Sequence, residues 1–212
     1  MYKFVFTISI LLISSLILSN KESTFNSVKE KRMSILFIGN SLTYTNDLPA
    51  LVRTEAKMRG IKFNTKMLAF ANYAIEDHWN DGKVQKLIAS KEFDYIILQQ
   101  GPSSQAAGRD MLIESGKAFS ALCNTNQTRL CFFMVWPSLK YYQTFDGVIQ
   151  NYRDAANVNN ALLLPVGEFW KNHFDSTGDF SYYSADRFHP SMKGSKIAAK
   201  VIVDQLLDDM KK

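Results

Sequence analysis

From residue 34 onward, short apolar runs alternate with stretches of helical spacing. "SILFIG" (34–39) carries no charge, reads as a strand buried on both faces, and stops at Gly39. "LPALVRTEAKMRG" (48–60) follows as a helix closed by Gly60. "KFNTKMLAF" (62–70) predicts a second strand, and "AIEDHWNDGKVQKLIAS" (74–90) a second helical region. "FDYIILQQ" (93–100) is the strongest strand signal, aromatic and β-branched with no charge after Asp94. A helix over "RDMLIESGKAFSAL" (109–122) leads to the strand "RLCFFMVW" (129–136), which Pro137 stops. A helix around "FDGVIQNYRDAANV" (145–158) precedes the strand "ALLLPVG" (161–167). The last helix is "SMKGSKIAAKVIVDQLLDDM" (191–210), in which Ile197, Val201, Val203, Leu206 and Leu207 form one apolar stripe.

Strands without polar alternation need cover on both faces, and β-α alternation supplies it with helices. The expected fold is α/β: a three-layer α/β/α sandwich, flavodoxin-like, around a mostly parallel five-strand sheet. Pattern alone leaves the strand order open. In such sheets ligands bind beyond the carboxyl ends of the strands, near the point where the order reverses.

Composition changes this picture little. The 212 residues are 46% hydrophobic and 21% charged, with a formal net charge of +5. That suits one ordinary domain over 34–212. Basic residues are scattered among acids, so no nucleic-acid partner is expected. Residues 21–33 mix both signs and read as a solvated linker.

Residues 1–20, "MYKFVFTISILLISSLILSN", differ from the rest. One lysine near the start and an apolar run of about 15 residues predict an export signal. A retained amino-terminal anchor is the alternative, though a spanning helix wants about 20 apolar residues. The expected location is periplasmic or secreted, with no membrane attachment after signal cleavage. No cysteine lies in this segment, which excludes attachment through a lipidated cysteine. Export makes Cys123 and Cys131 eligible for a disulfide, with two buried free thiols as the alternative. Two cysteines and three scattered histidines make no zinc pattern, and no metal is expected.

Candidate chemistry gathers where the strands end. The first ends in Gly39-Asn40-Ser41 and the third in Gln99-Gln100-Gly101; Ala71-Asn72-Tyr73 follows the second, and Trp136-Pro137 closes the fourth. "SADRFHPS" (184–191) precedes the last helix. A serine hydroxyl is a poor nucleophile until an imidazole takes its proton, and a carboxylate must hold that imidazole in the right tautomer. Asp186 and His189 suit that pairing, and Pro190 biases His189 away from helical geometry. By itself "DRFHP" reads more simply as a turn, with Ser191 capping the final helix.

Taken together, "FIGNSLTYTNDLP" (37–49) resembles the first block of the SGNH (GDSL-like) esterases, and "DRFHPS" (186–191) resembles their Asp-x-x-His block. The stretch "AIEDHWNDGKVQKLIASKEFDYIILQQGPSSQ" (74–105) is similar to a bacterial branch whose third block is rich in glutamine. The resemblance covers nearly all of the chain after the linker. It implies the same sandwich and no cofactor, with Ser41 as nucleophile, His189 as general base and acid, and Asp186 as its orienting partner.

Two blocks depart from the family pattern. The usual second block has a glycine that gives an N–H to the oxyanion hole; here the region reads Ala71-Asn72. The Asn72 N–H or side-chain amide then joins the Ser41 N–H as donor, or Asn72 is an ordinary loop residue. In the third block, Ser103 stands at the asparagine of Gly-x-Asn-Asp, which leaves Gln99 or Gln100 as the amide donor. Strand alternation sends these two to opposite sides, so one is expected to reach the site.

Four further residues are candidates for substrate contact: Asn40, Tyr44, His78 and Trp136. Tyr44 and Asn46 follow the nucleophile and are placed at the entrance. Asp77 is not expected to orient His78, since adjacent helix residues face different ways. His78 at a helix surface and Trp136 in simple packing are the alternatives, and His173 is read as structural. The function expected is an exported serine esterase that removes a short acyl group, acetyl first, from a small-molecule or carbohydrate ester. A lipase-like or acyl-transferring enzyme is one alternative, disfavoured by the polar loops 101–108 and 176–186. A catalytically inactive ligand-binding module on the same fold is the other, supported by the two altered blocks.

Overall fold

The computed structural model describes residues 32–212; the expected export signal and most of the linker lie outside the described residues. Five strands form one sheet in the order β2-β1-β3-β4-β5, with every neighbouring pair parallel. They are β1 (Arg32–Gly39), β2 (Lys62–Ala69), β3 (Tyr95–Leu98), β4 (Arg129–Phe133) and β5 (Leu162–Leu164). This is the flavodoxin-like order, whose reversal lies between β1 and β3. Ile38 of β1 pairs with Leu68 on one side and Leu98 on the other, and Ile35 to Ile38 are wholly buried.

Helices cover both faces, because right-handed crossovers leave the central strand in opposite directions. The short α1 (Ser41–Tyr44) follows β1 directly, then α2 (Leu48–Met58) packs beside α8 (Met192–Asp209). On the other face α3 (Ile75–Asn80) and α4 (Lys83–Ala89) adjoin α5 (Ala106–Thr125), which packs on α6 (Phe145–Val158). The helical region expected over 74–90 consists of two helices, separated at Gly82, whose φ is +74°.

Two differences from the sequence reading have physical causes, and the cysteine alternatives are decided. A further helix, α7 (Val166–Thr177), follows β5 where the sequence pattern predicts no helix, and it packs against both α6 and α8. It buries Val166, Trp170 and Phe174, a stripe at a spacing of four that is too short to stand out among polar neighbours. β2 is an edge strand with Lys62, Asn64 and Lys66 exposed, so it is not buried on both faces; lysines on an edge discourage pairing with another chain. Cys123 and Cys131 are free and buried, which leaves the disulfide unformed. Burial pushes the Cys123 thiol up to about 12, so it is inert as a nucleophile.

Candidate active site

β1 delivers Ser41 at the point where the strand order reverses. Gly39 is required there for space: a Cβ would stand 2.4 Å from Thr43 Oγ1 and 2.5 Å from Gln99 Oε1. The buried Gln99 amide fills that space. Its oxygen accepts from the Asn40 N–H and the Thr43 hydroxyl, both at 2.8 Å, and its Nε2 donates to the Gln100 carbonyl at 2.8 Å. Asn40 caps α1, accepting from the Leu42 N–H at 3.1 Å, and donates through Nδ2 to the Tyr73 carbonyl at 3.0 Å. The turn that bears Ser41 is thereby tied to both neighbouring strand ends. Ser41 is the first residue of α1, and among the described residues its N–H has no partner.

His189 reaches this turn from the far end of the chain. Its Nε2 lies 2.9 Å from Ser41 Oγ, and its Nδ1 lies 2.6 Å from Asp186 Oδ2. The second oxygen of Asp186 accepts from the N–H groups of Phe188 and His189 at 2.9 Å and from the Ser184 hydroxyl at 2.7 Å. Burial tends to raise the Asp186 pKa, but the hydrogen bonds, that of His189 first, outweigh it and hold the carboxyl well below its usual range. Asp186 is therefore ionised at neutral pH and fixes the Nδ1–H tautomer, which turns the Nε2 lone pair toward Ser41.

The loop that carries His189 is held by its carbonyls. Those of residues 187, 188, 189 and 190 accept in turn from the Leu139 N–H at 2.9 Å, Trp136 Nε1 at 3.0 Å, the Ser184 N–H at 2.8 Å and Asn46 Nδ2 at 3.0 Å. Arg187 bends the loop through the left-handed region at φ 59°. Ser191 caps α8 by accepting from the Gly194 N–H at 3.1 Å, so the turn-and-cap reading of "DRFHPS" and its Asp–His pair both hold.

A cavity of about 360 Å³ opens beside Ser41. Asn40, Asn72, Gln100, Met111 and Phe188 contribute to its lining, and no charged side chain does. Asn72 adopts φ 63°, and among the described residues its N–H also has no partner. The Gln100 amide is oriented by accepting from the Ile75 N–H at 3.4 Å and donating to Ser103 Oγ at 2.9 Å.

Ser41, His189 and Asp186 thus meet, with Asn72, Gln100 and Asn40 at the same cavity. Five other candidates stand elsewhere. Gln99 is not a cavity donor, because it is fully buried outside the cavity lining, its amide oxygen engaged by the Ser41 turn and its Nε2 by the Gln100 carbonyl. Trp136 is fully buried against Trp170, with ring centroids 3.5 Å apart, and walls nothing. Tyr44 is exposed but outside the cavity lining, and Asn46 faces Pro190 and Ser195 rather than an entrance. His78 is buried: its Nε2 donates to the Gly39 carbonyl at 2.8 Å, and its Nδ1 has no partner among the described residues. Its ring stacks on Phe70 and meets Tyr73 edge-on, and burial lowers its pKa, so it is neutral and supports β1 from beneath. Ser184 was the residue the sequence reading passed over; its position two before Asp186 in a turn was the available signal. His173 stacks on Tyr182, as a structural residue would.

Among the described residues no cluster could hold a metal ion, and no helix is long and apolar enough to cross a membrane. No protein-family model matches the chain, and no curated protein matches it in sequence. Solved structures do match. A protein from Slackia heliotrinireducens assigned to the SGNH hydrolases superposes with a TM-score of 0.70 at 22% identity, covering 83% of this chain and all of that one. A lipase/acylhydrolase from Enterococcus faecalis gives 0.65 at 12% identity, over 84% and 96% of the two chains. An acetyl-xylooligosaccharide esterase from Geobacillus gives 0.63 at 15% identity, over 82% and 94%. The fold is that of the SGNH (GDSL-like) hydrolases.

Proposed function

We propose that this protein is an exported serine esterase that hydrolyses short acyl esters, acetyl foremost, of uncharged carbohydrate-like alcohols. One observation carries the reading: the unbroken relay from Asp186 through His189 to Ser41, with distances of 2.6 and 2.9 Å. The neighbouring folds include an esterase named for acetylated xylooligosaccharides, which supports acetyl and carbohydrate as the substrate classes. Export rests on residues 1–20 alone.

In the proposed reaction, His189 Nε2 takes the Ser41 proton as Oγ attacks the ester carbonyl. The oxyanion is received by the Ser41 N–H, the Asn72 N–H and the second N–H of the Gln100 amide. The imidazolium, stabilised by Asp186, then gives its proton to the departing alcohol. Water attacks the acyl-serine in the same way, with His189 again as base, and the acid leaves. The absence of charge around the cavity suits a neutral ester, and its volume of about 360 Å³ suits a short acyl group better than a long chain.

The deciding experiment is hydrolysis of a short-chain aryl ester by the purified domain and by Ser41→Ala. Turnover only by the parent supports the esterase. Equal rates in both would remove the role given to Ser41. No turnover by either, on aryl esters and on a panel of acetylated sugars, would favour a binding module.

A further inference from the structure

A second groove, of about 490 Å³, adjoins the cavity at Ser41, and the two share Pro102 and Phe188 as their dividing wall. The Phe188 ring lies 5.0 Å from the His189 ring, centroid to centroid, so the groove lies on the side of the general base. That location has a chemical meaning. In ester hydrolysis the leaving oxygen must face the imidazole that protonates it, whereas the acyl chain points away from it. A substrate with its carbonyl at Ser41 therefore sends its alcohol over Phe188 and Pro102 into this groove.

The lining states what kind of alcohol fits. Pro102, Pro137, Phe188 and Tyr141 supply apolar surface, and Ser104, Gln105, Ser138 and Thr144 supply neutral polar groups. No charged side chain takes part. Tyr141 is 52% exposed, with the Lys140 ammonium 5.3 Å from its ring centroid. The Thr144 hydroxyl donates to the Tyr141 carbonyl at 2.8 Å, and Gln105 Nε2 donates to Ser104 Oγ at 3.4 Å. An alkyl chain would therefore cover the Ser138 hydroxyl and the Gln105 amide oxygen without giving them partners, which is unfavourable. A pyranose has an apolar face for the tyrosine ring and hydroxyls around its edge for Ser138 and Gln105.

The groove is also held rigidly to the catalytic loop. The Leu139 N–H donates to the Arg187 carbonyl at 2.9 Å, and the Tyr183 hydroxyl donates to the Pro137 carbonyl at 2.7 Å. The Tyr142 hydroxyl donates to Asp175, so the segment Leu139–Thr144 is pinned on its inner side while Tyr141 faces outward. A sugar bound there is positioned relative to His189 by the protein frame.

We infer that the groove of Pro102, Pro137, Ser138, Tyr141 and Phe188 is a saccharide subsite that binds the leaving alcohol of the ester. The inference rests on the esterase reading above. Its test is the ratio of kcat/KM for an acetylated xylo-disaccharide to that for ethyl acetate, measured in parent, Tyr141→Ala and Ser138→Trp proteins. Tyr141→Ala removes the stacking ring, and Ser138→Trp fills the groove from a second position. The ratio is expected to fall about tenfold or more in each variant, because binding of the remote sugar contributes to the transition state. A ratio unchanged in both, with ethyl acetate still hydrolysed, overturns the subsite and leaves the esterase standing. A fall seen for hexyl acetate but not for the disaccharide overturns the saccharide assignment. Failure of the parent protein on every ester overturns the esterase reading and the subsite with it.

Discussion

The indole N–H of Trp136 donates to the carbonyl of Phe188 at 3.0 Å, one residue before the imidazole that faces Ser41. Trp136 is fully buried in a stack on Trp170 and lines neither the cavity nor the groove. It fixes the histidine loop from the inside of the core, so its effect on the candidate site passes through backbone position.

Trp136→Phe preserves most of the stack and removes the donor. A carbonyl left without its partner typically costs about 1–3 kcal/mol. The expected outcome is a melting temperature lower by several degrees, read by circular dichroism, and a several-fold drop in kcat on a short aryl ester with little change in KM.

Ser41→Ala and His189→Ala are each expected to lower kcat by about 1,000-fold or more, since members of such a relay act as a unit. Neither change opens a cavity in the core, so both variants should melt within a few degrees of the parent. Stopped assays on an aryl acetate check the rate, and thermal scans check the fold.

Asp186→Asn tests a different link. The asparagine presents an N–H where Asp186 Oδ2 accepts, which favours the wrong imidazole tautomer. Loss of about 100- to 10,000-fold in kcat is expected at neutral pH. Binding of an uncharged product analogue, followed by calorimetry, should change little.

The two glutamines should separate cleanly. Gln99→Leu strips the acceptor from the Asn40 N–H and the Thr43 hydroxyl, which predicts a stability loss of about 1–3 kcal/mol together with lower activity. Gln100→Leu removes an amide at the cavity and should lower kcat by about 100- to 1,000-fold, the usual cost of one oxyanion donor. Urea denaturation and steady-state rates on both variants distinguish them; equal stability losses would contradict the assignment.

His78 predicts an acid response. Its pKa is lowered, chiefly by burial; the Gly39 carbonyl, Asp77 and Asp81 oppose this and Lys83 adds to it. As pH falls below the ordinary histidine value of about 6.5, the unfolded chain takes up a proton that the folded chain refuses. Stability from this group is therefore complete above about pH 6.5 and declines as pH falls toward the lowered folded value. His78→Gln should show a smaller fall in urea midpoint between pH 7.5 and pH 5 than the parent does.

Much of this architecture is legible in the chain. Unbroken apolar strands separated by helices require a covered parallel sheet, and the first such strand carries Ser41 at its carboxyl end. The edge position of β2 and the helix α7 were not legible. The first depends on strand order, and the second on a three-residue stripe set among polar residues.

Local sequence determined where each element begins, which residues are buried in β1, and that Asp186 can reach His189 across one turn. All of these depend on neighbours within a few positions. Only the tertiary structure decided that Gln99 supports while Gln100 faces the cavity, that Trp136 and Asn46 hold the histidine loop, and that Ser41 lies 2.9 Å from His189. Those relationships join residues tens to more than a hundred positions apart. They follow from how the strands order and pack, which no local pattern encodes.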